Sequence, residues 1–257
     1  MSRRHADGSA GDVDYGALGA RYAEFRRPDP RIAAQIHAAL GDARTVLNVG
    51  AGAGSYEPVD RTVTAVEPSA SMRTQRPAHL TLAIDAVAER LPFADQAFDA
   101  SMAVFTVHQW ADLTAGLREM RRVTRGAIAI MTADPVLLER FWLAEYAPEM
   151  TRLEAQRCPP LHTLMNLLGS GARIEPIAIP FDCTDGFNEA YYGRPEMLLD
   201  AGARSACSSW SLVGPDVAAQ SIERLRRDLA DGTWDAHHGA LRSQPTYEGA
   251  LRLVVSR

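Results

Sequence analysis

The chain has 257 residues, 46% hydrophobic and 23% charged, with a net charge of −5, an ordinary globular composition and enough length for a large core. That balance provides no broad basic footprint for nucleic acid. No run of about 18 apolar residues predicts a membrane span, and Cys158, Cys183 and Cys207 are too scattered for a zinc site or a redox pair.

All 27 basic residues are arginine, which excludes a pyridoxal Schiff base, a lysine nucleophile and a Walker lysine. Met1 to Asp12 is polar and lacks the apolar core of a signal peptide. It is expected to be a disordered tail, with residues 13–257 forming one domain. Ile32, Ile36 and Leu40 share one helix face, and Gly41 stops it. Strands are expected over Thr45–Val49, Thr62–Val66, Leu80–Ile84, Phe98–Val104 and Ile128–Met131. Between the last two, Leu113, Leu117, Met120 and Val123 mark a helix face with Asp112 as N-cap. Strands separated by helices predict a doubly wound, mostly parallel Rossmann-like sheet, with a ligand at the carboxyl ends of its strands. Beyond Thr132, helices are expected over 135–156 and 161–168, the second closed by Gly169. Ile177, Ile179 and Phe181 alternate between Pro176 and Pro180, which confines that strand to an edge. A last strand covers Leu251–Val255. Residues 182–245 are expected to form a helical cap inserted between these two strands.

The sharpest local pattern is Val46-Leu47-Asn48-Val49-Gly50-Ala51-Gly52-Ala53-Gly54. A strand entering alternate glycines lets the backbone turn sharply and approach a ligand without an intervening Cβ. The next strand ends at Glu67, where a carboxylate accepts hydrogen bonds from the two hydroxyls of an adenosine ribose.

Ala88-Glu89-Arg90-Leu91-Pro92-Phe93, then Ala97-Phe98-Asp99, a strand, and Val107-His108-Gln109-Trp110 complete a series. Over roughly Tyr15 to Thr132 it resembles the class I S-adenosylmethionine (SAM)-dependent methyltransferases, in particular the ubiquinone/menaquinone-methyltransferase-like group. The resemblance implies a seven-stranded sheet of order 3-2-1-4-5-7-6 with strand 7 antiparallel. It also implies SAM as cofactor and S-adenosylhomocysteine (SAH) as product. By the same resemblance, Gly50, Ala51, Gly52 and Gly54 approach the methionine half of SAM, and Glu67 binds the ribose. Pro68 and Met72 flank the adenine, Val87, Ala88 and Glu89 run along its edge, and Val104 and Phe105 form the wall after strand four. Tyr22 and Arg26 match a Tyr-x-x-x-Arg element near the cofactor carboxylate. Asn48 and Val87 depart from the pattern, since many members carry acidic residues there; Asn brings no charge, and Val cannot accept a hydrogen bond.

Methyl transfer from a sulfonium is an in-line displacement that needs alignment and exclusion of water. His108, at the cleft edge, is the candidate base for a nucleophile that keeps its proton. Tyr15, Trp110, Tyr191, Tyr192 and Trp210 are the aromatic candidates for holding the acceptor. The expected acceptor is a neutral or weakly polar small molecule, with no metal, nucleic acid or membrane involved, and scattered thiols fit a cytoplasmic setting. Two other readings remain at this point: a SAM-binding protein without catalysis, and an NAD-dependent oxidoreductase. The G-x-G-x-G spacing weighs against the latter.

Overall fold

Short β-branched and alanine-rich runs predominate in the sheet because central parallel strands are covered on both faces. The computed structural model describes residues 22–257, so the expected tail lies outside the described residues. The strands are β1 (Thr45–Val49), β2 (Thr62–Val66), β3 (Ala100–Val104), β4 (Ile128–Ala133), β5 (Arg173–Pro176), β6 (Ile179–Pro180), β7 (Thr246–Tyr247) and β8 (Leu251–Ser256). The main sheet has six strands in the order β2-β1-β3-β4-β8-β5. β1 to β4 run parallel, whereas β8 is antiparallel to both β4 and β5.

The helices are α1 (Tyr22–Phe25), α2 (Pro30–Ala39), α3 (Ala70–Thr74), α4 (Leu113–Val123), α5 (Pro135–Leu138), α6 (Leu143–Tyr146), α7 (Pro148–Arg157), α8 (Leu161–Leu168), α9 (Ala201–Ser205), α10 (Pro215–Ala230) and α11 (Thr233–His238). Helix α2 buries Ile32, Ile36 and Ala39, and its N-cap Asp29 accepts from Arg31 N. In α4 the buried face is Leu117, Met120 and Val123, and Asp112 caps it by accepting from Ala115 N. Gly169 ends α8 with φ +90°.

Three expectations change. The expected strand at Leu80–Ile84 reduces to a single bridge between Ile84 and Val66, so the sheet has six strands, not seven. Leu82 is 88% and Ile84 41% exposed, and a strand whose apolar side chains nothing covers gains little by pairing. The expected helix over 135–156 breaks into α5, α6 and α7. Pro148 opens α7, and Ala147 before it has φ −127°, ψ 58°, out of the helical region as a following proline favours. The edge strand lies at Arg173–Pro176, earlier than expected, while Ile179–Pro180 pairs with Thr246–Tyr247 in a separate two-stranded sheet.

Residues 182–245 hold α9, α10 and α11 with four short 3-10 turns. This segment shares one apolar cluster with the sheet. Tyr192, Leu198 and Trp234 from the segment join Ile32, Met102 and Met131 in it, and Trp142 meets Trp234 edge-on at 5.5 Å.

Candidate active site

The carboxyl ends of β1 to β4 open into one pocket, and the glycine loop forms one side of it. Gly50 has φ +67°, and a Cβ there would lie 2.0 Å from Thr106 Oγ1, in the turn after β3. Glycine therefore lets the β1 and β3 ends approach each other. Gly52 N and Ser69 N donate to the two oxygens of Glu67, both at 2.8 Å. This carboxylate, 7% exposed, ties the loop to the turn after β2.

Of the candidate cofactor residues, Gly50, Ala51, Gly52, Glu67, Pro68, Met72, Val87, Ala88, Glu89, Val104 and Phe105 line the pocket. Gly54 does not; the Cβ it lacks would strike Leu80 Cδ1 at 2.3 Å, so its role is loop packing. Tyr22 opens α1, and Tyr15 lies outside the described residues. Arg26 lines the pocket with its guanidinium engaged by Asp185 and by the Ala206 carbonyl. Asp185, buried in turn, also accepts from Tyr56 Oη at 2.8 Å.

Asn48 has a local cause. Its Nδ2 donates to Glu57 Oε1 at 3.0 Å, and Glu57 pairs with Arg76 at 2.9 Å with both side chains almost wholly buried. An aspartate at 48 would set a second carboxylate against Glu57. Asn48 Oδ1 is buried on the pocket wall without a partner among the described residues. An α-ammonium donor would satisfy it. With the Glu67 carboxylate on the pocket wall and no Cβ at Gly50 and Gly52, the wall fits SAM. Val87, also on the wall, supplies no side-chain hydrogen-bond acceptor to the pocket.

The pocket is completed by the turn after β3, the end of β4, α7 and the 187–188 and 206–208 segments. His108, Gln109, Trp110, Thr132, Glu154, Arg157, Cys158, Phe187, Asn188 and Cys207 line it. Phe105 takes φ 50°, rare for a non-glycine residue, and its ring lies 5.5 Å from that of Phe187. Burial, then the positive charge of Arg157, lowers the His108 imidazole to about 3. Burial is also the leading cause that pushes the thiols of Cys158 and Cys207 up to about 12, so both stay protonated and poorly nucleophilic. Burial raises the Glu154 carboxyl, opposed by a hydrogen bond from Asn188 and by Arg157.

Tyr191, Tyr192 and Trp210, expected to grip the acceptor, are buried in packing and do not line the pocket. Tyr192 Oη donates to the Gln244 carbonyl at 2.7 Å, and its ring stacks on Tyr247. Trp210 Nε1 donates to Asn188 Oδ1 at 3.1 Å and so orients a wall residue from behind. Thr132 could have been found from its place at the carboxyl end of a parallel strand. Glu154, Arg157 and Asn188 had no comparable signal, because they reach the pocket only through the packing of α7 against the inserted segment.

A family model described as a methyltransferase domain matches residues 47–130. The uncharacterized methyltransferase YcgJ of Bacillus subtilis (strain 168) is 29% identical over 119 residues, 42% of this chain and 47% of the relative. The uncharacterized protein YafE of Escherichia coli (strain K12) is 44% identical over 47 residues, 18% of this chain and 23% of that one. The chain thus spans about half or less of the curated relatives it matches. Among solved structures, a provisionally named methyltransferase from an antibiotic biosynthesis pathway of Anabaena variabilis ATCC 29413 is 30% identical, with a TM-score of 0.84. That match covers 91% of this chain and 99% of the other. With a near-complete relative at that identity, the glycine loop against Glu67 and the order of the sheet, the chain belongs to the class I SAM-dependent methyltransferases.

Proposed function

We propose that the chain transfers a methyl group from SAM to a neutral or weakly polar small molecule. The observation that carries this reading is one pocket running from Gly52 and Glu67 to Gln109, Thr132 and Asn188. When bound, SAM supplies an electrophilic methyl whose bond to sulfur breaks as the bond to the acceptor forms, leaving SAH. Glu67 holds the loop in place, and as a carboxylate it accepts from hydroxyl donors. Phe105, Trp110 and Phe187 on the wall exclude water and restrict the acceptor's approach, which is where the rate gain of such a displacement arises. Protonated thiols at Cys158 and Cys207 speak against thiolate chemistry, and three free cysteines accord with a reducing cytoplasm.

Calorimetry with SAM and SAH tests the cofactor half. Glu67→Ala should weaken both roughly ten- to hundredfold, as expected for losing hydrogen bonds to a charged group. Equal affinity in variant and parent would remove Glu67 from the site. A mass-spectrometric screen for methylated products across a metabolite panel tests the acceptor half. SAM binding without product from any acceptor would instead favour a non-catalytic SAM binder.

A further inference from the structure

Gln109 closes the short 3-10 turn Val107–Gln109 directly after β3. Its backbone N donates to the Thr106 carbonyl at 2.8 Å, so the main chain holds this turn without help from the side chain. The residue is 6% exposed and is among those that line the pocket. Both its Nε2 and its Oε1 are buried and have no partner among the described residues. Thr132 Oγ1, at the end of the neighbouring strand β4, is buried on the same wall and likewise unpartnered. Buried amides with both ends open are rare, because each open end forfeits the hydrogen bond it had in water.

Resting on the methyltransferase reading above, we propose that Gln109 is the specificity-determining contact for the methyl acceptor. The acceptor presents to it an uncharged group carrying a hydrogen-bond donor and a hydrogen-bond acceptor side by side, as in a carboxamide, a lactam or a hydroxy-carbonyl. A carboxylate would satisfy Nε2 but set its oxygen against Oε1, and an ammonium would do the reverse. Either orientation of the amide leaves a donor and an acceptor open. The full charges on this wall do not select one sign, since Glu154 and Arg157 lie three residues apart on α7 with opposite charge. A site built around such a pair rejects an analogue that leaves one of its ends unpaired more strongly than an apolar pocket rejects a change of shape.

The test uses the full chain saturated with SAH, titrated by NMR with benzamide, which offers a donor and an acceptor, and with methyl benzoate, which offers only acceptors. The parent should favour benzamide about tenfold or more. Gln109→Leu, close in size but apolar, should abolish that preference, leave SAH affinity within about twofold, and keep or raise the thermal midpoint because a buried open amide is gone. A parent without preference between the two compounds, or the same preference in the variant, overturns the assignment. So does a lower thermal midpoint with weakened SAH binding, which would make Gln109 a packing residue. Failure of SAH to bind the parent would instead strike at the methyltransferase reading itself.

Discussion

His108 shows how far tertiary surroundings move a residue from its ordinary chemistry. An unperturbed imidazole near 6.5 would make a serviceable base. On the pocket wall, burial and the nearby Arg157 penalise its protonated form and lower it to about 3. The group stays neutral through any assay range and is too weak a base to draw a proton effectively. We therefore propose it as pocket wall. Because its pKa is lowered, loss of activity by protonation would begin only near pH 3. The expected outcome is a kcat without an acid limb from this residue between pH 5 and 8, and a His108→Ala variant within about tenfold of the parent. A limb near pH 6.5 in the parent that vanishes in the variant would restore His108 as the base.

At the level of elements, the loop between β1 and β2 depends on glycine where a positive φ coincides with a close approach. Gly50 combines φ +67° with a missing Cβ that would lie 2.0 Å from Thr106 Oγ1. Gly50→Ala should destabilise the fold by about 2–4 kcal/mol, the sum of a left-handed backbone cost and an overpacked contact. Adding Thr106→Ala should recover most of the steric share, since only Thr106 Cβ at 2.9 Å would remain close, and leave the backbone share. Urea denaturation of the single and double variants reads both; a Gly50→Ala protein as stable as the parent would contradict the geometry. The glycine pattern was legible in the sequence because its requirement is local, and so were the caps at Asp112 and Gly169. The break of the 135–156 helix was equally local, since Pro148 marks it, yet the apolar aromatics around Phe141 and Trp142 suggested continuity. Trp142 packs on Trp234 of the inserted segment and Phe141 on Tyr247 of β7, not along one helix face.

Across the whole molecule, the inserted segment is tied to the sheet by a buried carboxylate. Glu189 is 4% exposed and accepts from Ala250 N at 2.8 and 2.9 Å, just before β8. Burial raises it to about 7; the bond from Ala250 opposes this, Glu154 adds to it and Arg252 opposes it. A carboxyl raised in the folded state contributes stability in acid, below its ordinary value of 4.5, and that contribution is lost as pH rises to about 7. Across that window the loss amounts to about 2–3 kcal/mol. Glu189→Gln should flatten this part of the stability profile, seen as thermal midpoints at several pH values between 4.5 and 7.5. Identical slopes in variant and parent would remove Glu189 as the source.

The sequence by itself determined the strands that are central and covered on both faces, the glycine loop and its acid at Glu67. It also determined the family, because each of these depends on residues close together in the chain. Tertiary structure decided the rest. It reduced the expected strand at Leu80–Ile84 to one bridge, because nothing covers Leu82. It drew Tyr191, Tyr192 and Trp210 into packing and placed Gln109, Glu154, Arg157 and Asn188 on the pocket wall in their stead. An aromatic side chain reads the same in sequence whether it faces a ligand or a neighbour. Which of the two it meets is fixed by the long-range packing of α7 and the inserted segment against the sheet, and local periodicity carries no record of that.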